Sequence, residues 1–144
     1  MPARNLLSKA RAEVGVREAT GKNDGKRVVA YLKYVGLKQG DPYCAAYVSW
    51  CFQQAGYAKP RTGWSPDLFP AKRVVKNPAP GKVFGIYFPE LKRIAHCGLV
   101  EAVDGDWVMS IEGNTNASGG REGEGVYERR RHRRTIRCYA DWLP

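Results

Sequence analysis

The period of the apolar residues changes at Gly81, and that change limits the fold more than any other feature of the chain. Before it, apolar residues recur at three- and four-residue steps, and after it they alternate. Residues 3 to 13 suit a helix with Leu6, Leu7 and Ala10 on one side and Gly15 as its stop. Val28, Val29, Leu32 and Val35 repeat at helical steps between an expected cap at Asn23-Asp24-Gly25 and a stop at Gly36. A third helix is predicted after Asp41, a good N-cap, with Pro42 at the first helical position, where no N–H is needed. Cys44, Val48, Cys51, Phe52 and Ala55 share one face of it, and Gly56 ends it. Residues 57 to 81 form a Pro/Gly-rich crossing with one short helical turn expected from Pro66 to Phe69.

Beyond Gly81, "KVFGIYF" places Phe84, Ile86 and Phe88 on one face of a strand, and "AHCGLVEAV" and "DWVMSIEGN" read as two more, joined by "DGD". "GVYERRR" and "TIRCYA" supply the last strands, and "SGGREGEG" reads as a flexible surface loop. Three helices followed by about five antiparallel strands define an α+β domain. The length of 144 residues suits a single domain over 1–144, and 43% hydrophobic content suffices for its core without staples.

No apolar run approaches the roughly 20 residues that cross a bilayer. The N-terminal "MPARNLLSKARAEVG" lacks the apolar stretch of a signal peptide, so synthesis in the cytoplasm is expected, with any action elsewhere needing release or export. The balance of 24 Lys and Arg against 14 Asp and Glu, a net +10, favours anionic partners. A non-catalytic nucleic-acid binder rests on that charge alone. No recognised motif supports it, and the arginines cluster at one end instead of interleaving with aromatics, so no nucleic-acid partner is expected.

Among the 4 cysteines and 2 histidines no C-x-x-C or H-x-x-x-H spacing occurs, so neither a structural metal nor a cofactor is expected. Cys44 and Cys51 on one helix lie about 10.5 Å apart along its axis, too far for a disulfide, which needs Cα atoms within about 7 Å. Cys51 is then a core residue. Cys44 is either another small buried hydrophobe or a thiol placed to react. A helix start favours the thiolate, and its free N–H groups suit an oxyanion. His96, in a strand, is a better base than His132, which sits among cations in "RRRHRR". Glu112 and Asn114 are two apart on the next strand, so one face would carry both beside the imidazole and orient it. By the same alternation Cys97 points away from the face of His96. Tyr43, Trp50 and Trp64 are candidate cleft walls, each also a candidate core or loop anchor.

The series "YCAAYVSWCFQQAG", "HCGLVEAV", "IEGNTN" and "GVYERRR" resembles the CHAP family of cysteine, histidine-dependent amidohydrolases/peptidases, from about Ala12 to Arg137. The resemblance implies a papain-like domain of the NlpC/CHAP type, with N-terminal helices packed on the antiparallel sheet. It also implies hydrolysis of an amide in peptidoglycan, by an N-acetylmuramoyl-L-alanine amidase or an endopeptidase. On this likeness Cys44 is the nucleophile, His96 the base, Glu112 the residue orienting it and Asn114 a further polar member. Cys97 departs from the hydrophobe common after the family's histidine. Some relatives bind calcium before the nucleophile, but "TGKNDGKR" offers only Asn23 and Asp24. The implied partner is bacterial peptidoglycan, with anionic envelope polymers as further ligands of a monomer reaching the wall after endolysin-like release or export. A cysteine hydrolase or deamidase of protein amides shares the mechanism and remains the alternative.

Overall fold

A computed structural model describes residues 2–115, 120 and 123–144. Part of the "SGGREGEG" loop, residues 118, 119, 121 and 122, lies outside the described residues. Helices α1 (Pro2–Arg11), α2 (Lys26–Tyr34) and α3 (Cys44–Gln54) precede a short 3-10 turn, Ser65–Leu68. The strands β1 (Val74–Val75), β2 (Val83–Phe88), β3 (Arg93–Asp104), β4 (Trp107–Thr115), β5 (Gly125–His132) and β6 (Cys138–Ala140) then form one sheet in the order β1-β6-β2-β3-β4-β5. Every pairing is antiparallel. The domain is therefore α+β as expected, with six strands instead of about five. The additional strand is β1, whose two residues pair with Tyr139 and Ala140. It is too short to show a period of two inside the Pro/Gly-rich crossing.

Helix α3 is the centre of the fold. Every residue from Cys44 to Phe52 is buried, with α1 and α2 on its outer sides and β3 and β4 beneath. A single apolar face was expected, but a helix covered all round carries apolar or small residues all round. Two glycines allow the close packing. A Cβ at Gly113 would lie 2.8 Å from Tyr47 Cβ, so β4 approaches α3 only because that position has no side chain. A Cβ at Gly98 would meet Phe84 at 2.7 Å and Glu112 Cγ at 2.8 Å, so Gly98 leaves the space that Glu112 fills.

The expected helix caps are absent. Asp24 accepts the backbone N–H of Thr20 at 2.9 Å, closing its own turn, and Gly25 stands at the start of α2 with no side-chain cap. Asp41 likewise accepts the N–H of Lys38 at 3.0 Å. Helix α3 begins two residues later than Pro42, at Cys44, with Tyr43 before it and no side-chain cap. Short polar side chains satisfy nearby turns as readily as helix ends, which is why the sequence signal misplaced them.

Candidate active site

Cys44 is the first residue of α3 and is 6% exposed. It lines a cavity of about 190 Å³ walled by Leu37, Pro42, Gly63, Trp64, Ser65 and Ala95, with Asp41 and Arg93 as its charged groups. The N–H groups of an uncapped first turn have no intrahelical acceptor, so this end of α3 offers donors and positive potential beside the thiol.

His96 and Glu112 are both buried, and His96 Nε2 lies 2.6 Å from Glu112 Oε1. With Nε2 taken, Nδ1 is the ring nitrogen left for the thiol; it is buried and, among the described residues, has no hydrogen-bond partner. The thiol and the imidazole are electrostatically linked, each favouring the charged form of the other. Burial pushes the ring towards neutrality, but Cys44 and Glu112 outweigh it and raise His96 to about 9. The Cys97 thiol, and then His96 and Ser65, hold Cys44 well below the ordinary thiol range against its burial. Both shifts favour a thiolate beside an imidazolium.

Glu112 is anchored by two residues that sequence reasoning missed. Arg131 grips it with both ends of its guanidinium, Nε to Oε2 at 2.6 Å and Nη2 to Oε1 at 2.6 Å. Ser110 Oγ donates to Oε2 at 2.5 Å. Burial alone would raise this carboxyl; Arg131 and His96 reverse that and hold it at about 2. A buried carboxylate needs such partners, since an uncompensated charge in the interior costs several kcal/mol. The signal was present in the strand pattern, because β5 lies beside β4 and Arg131 pairs with Val108, two positions from Ser110 and four from Glu112. The run "RRRHRR" is thus partly internal. Arg131 turns inward to Glu112, Arg130 lies 3.9 Å over the Trp107 ring, and His132 Nδ1 accepts the N–H of Arg134.

Among the described residues Asn114 makes no hydrogen bond to His96. The pairing of β4 with β5 slips between Glu112 and Thr115, and Asn114 sits at φ 57 in that bulge. Its Oδ1 accepts the N–H of Gly123 at 3.4 Å. The bulge breaks the alternation on which a shared face with Glu112 depended. Tyr43 is no cleft wall either: it is wholly buried, and its hydroxyl donates to Glu18 Oε2 at 2.7 Å. Trp50 packs edge-on against Tyr31 within the core. Trp64 does line the cavity, 49% exposed, with the Arg93 guanidinium 4.1 Å over its ring. Cys97 belongs to the buried cluster that contains α3, and Ser65 Oγ lies 3.6 Å from its Sγ and 3.3 Å from that of Cys44.

A thiol on a helix start, a strand imidazole and a buried carboxylate are the groups that a thiol hydrolase needs. The model of the CHAP domain matches residues 36–114, more than half of the chain, and the chain belongs to that family. No curated protein matches it. Among solved structures it is similar to the crystal structure of Ly7917 with the hydrolyzing product of MDP, at TM-score 0.55 and 18% identity over 96% of this chain and 62% of that one. The crystal structure of Ly7917 alone gives TM-score 0.53 and 20% identity, covering 96% of this chain and 61% of that one. At these identities the likeness is one of fold, and this chain spans about three-fifths of the length of Ly7917.

The charge pair fixes an expected pH profile. Turnover of a soluble substrate should fall on the acid side as Cys44 takes up a proton, and on the alkaline side near pH 9 as the His96 imidazolium loses its own. Measuring kcat/KM against pH reads both limbs. An alkaline limb at about 6.5, the value of an isolated imidazole, would show that the ring is not coupled to Cys44.

Proposed function

We propose that the chain hydrolyses an amide bond of peptidoglycan by covalent thiol catalysis. The observation that carries this reading is the buried chain Cys44, His96, Glu112 and Arg131, opening at its thiol end into a cavity. Membership of the CHAP family and the fold shared with a protein solved with the hydrolyzing product of MDP support the choice of polymer.

The Cys44 thiolate attacks the carbonyl carbon, and the N–H groups at the start of α3 hold the oxyanion. The His96 imidazolium gives its proton to the departing amine, leaving a thioester on Cys44. The neutral ring then takes a proton from water, whose oxygen attacks the thioester and frees the acid. Glu112, ionised throughout and fixed by Arg131 and Ser110, keeps the ring oriented and stabilises its charge. Trp64 and Arg93 offer a flat face and a cation to the substrate beside the thiol.

Digestion of purified sacculi followed by mass analysis tests the reading. Release of peptides whose alanine amine was joined to the sugar defines an amidase, cleaved stems or cross-bridges an endopeptidase, and intact sacculi refute the proposal. The net charge of +10 serves attachment to an anionic wall. Exposed charges are screened beyond about 8 Å at physiological ionic strength. Added salt should therefore weaken binding to whole sacculi while cleavage of a small soluble fragment changes little. Equal losses on both substrates would contradict a tethering role.

A further inference from the structure

Cys97 is a buried nucleophile for which the hydrolytic steps have no use. Ser65 Oγ lies 3.3 Å from Cys44 Sγ and 3.6 Å from Cys97 Sγ, so one hydroxyl is bracketed by two thiols. All three residues are buried, but Cys44 lines the cavity while Cys97 is wholly enclosed. A small oxidant entering the cavity therefore meets Cys44 first and Cys97 immediately behind it.

We propose that Cys44 and Cys97 form a reversible peroxide-driven disulfide that shuts the site and protects the nucleophile from irreversible oxidation. The Cys44 thiolate attacks one peroxide oxygen; an S–O bond forms, the O–O bond breaks, and hydroxide leaves and is protonated to water. Cys44 is thereby oxidised by two electrons to the sulfenic acid and the peroxide is reduced. Cys97 Sγ then attacks the Cys44 sulfur; the S–S bond forms, the S–O bond breaks, and the departing hydroxide takes the Cys97 proton as a second water. A dithiol reductant reverses the link by exchange and returns both thiols.

The two thiols are matched to these roles. Cys44 carries thiolate character, which is the form that reacts with peroxide, whereas burial and the neighbouring Cys44 keep Cys97 protonated until a sulfenic acid stands next to it. Cys51 is also buried, but it lies two helical turns away from Cys44 on α3. Cys138 is on β6 and only half-buried.

The experiment treats the full chain with hydrogen peroxide, blocks remaining thiols, and maps peptides without reduction. The expected product is a Cys44–Cys97 linked peptide, two hydrogens lighter than its parts, that disappears with dithiothreitol. In Cys97→Ser the link should be missing and Cys44 should advance to the sulfinic acid. Activity relative to each protein's own starting value should then recover about tenfold or more with dithiothreitol in the wild type and less than about twofold in the variant. Sulfinic Cys44 without the link in wild type, or a link to Cys51 or Cys138, overturns the proposal. The peptide map does not depend on turnover, so it stands even if the protein hydrolyses no peptidoglycan, and intact sacculi alone refute only the proposed function.

Discussion

Cys44→Ala is expected to leave a folded protein whose hydrolysis falls by ~10³-fold or more, below routine detection. The alanine fits the start of α3 without strain, and no capping bond is lost because none is made there. What disappears is the sulfur that attacks the carbonyl. Far-UV circular dichroism should be unchanged while release of soluble fragments from sacculi stops. The comparison that gives the result meaning is Cys51→Ala. Cys51 is wholly buried, and burial pushes its thiol up, away from reactivity. Its loss should cost roughly 1–2 kcal/mol of stability from the cavity it leaves, with the chemistry kept.

Glu112→Gln should have the second-largest effect, and it should act on both turnover and stability. An amide holds the ring in place less well and gives no charge to stabilise the imidazolium, so turnover should drop by at least about tenfold. The same change leaves the Arg131 guanidinium, with its side chain only 12% exposed, without its carboxylate. Removing one partner of a buried pair costs about 3–5 kcal/mol. Chemical denaturation of wild type and variant measures this directly.

The pH dependence of stability carries the same signature. The carboxyl of Glu112 is depressed from 4.5 to about 2, so its contribution is fully present above about pH 4.5 and is lost as pH falls through about 2. That contribution is on the order of a few kcal/mol, and Glu112→Gln should flatten the acid limb of the stability curve. If Asn114→Ala were more damaging to turnover than Glu112→Gln, the carboxylate would not be the group that orients His96.

The sequence made the secondary structure and the order of the strands' chemistry legible because those depend on local pattern. Helices followed by alternating strands read correctly, and "DGD" was a turn, with Asp104 paired to Trp107 and Gly105 at φ 58. Cys44 at a helix start and Glu112 beside His96 also followed from spacing. Asn114 and Arg131 did not, for different reasons. At Asn114 a bulge between Glu112 and Thr115 shifts the alternation by which side chains are assigned to faces. Arg131 was hidden by its neighbours, since a run of arginines reads as surface unless a buried carboxylate on the next strand is already known. Tyr43 is hidden likewise: nothing local says that its hydroxyl is satisfied by Glu18, 25 residues away in sequence.

Alkylation with limiting iodoacetamide tests most directly the claim that one activated thiol carries the chemistry. Cys51 and Cys97 are enclosed, and burial pushes the thiol of Cys138 up, whereas Cys44 faces the cavity with its thiol held well below the ordinary range. The native protein should take a single adduct, mapped to Cys44, with hydrolysis lost in proportion to its formation. Full alkylation of Cys44 with hydrolysis intact, or loss of hydrolysis on modification of Cys97 or Cys138 while Cys44 stays free, would contradict the account.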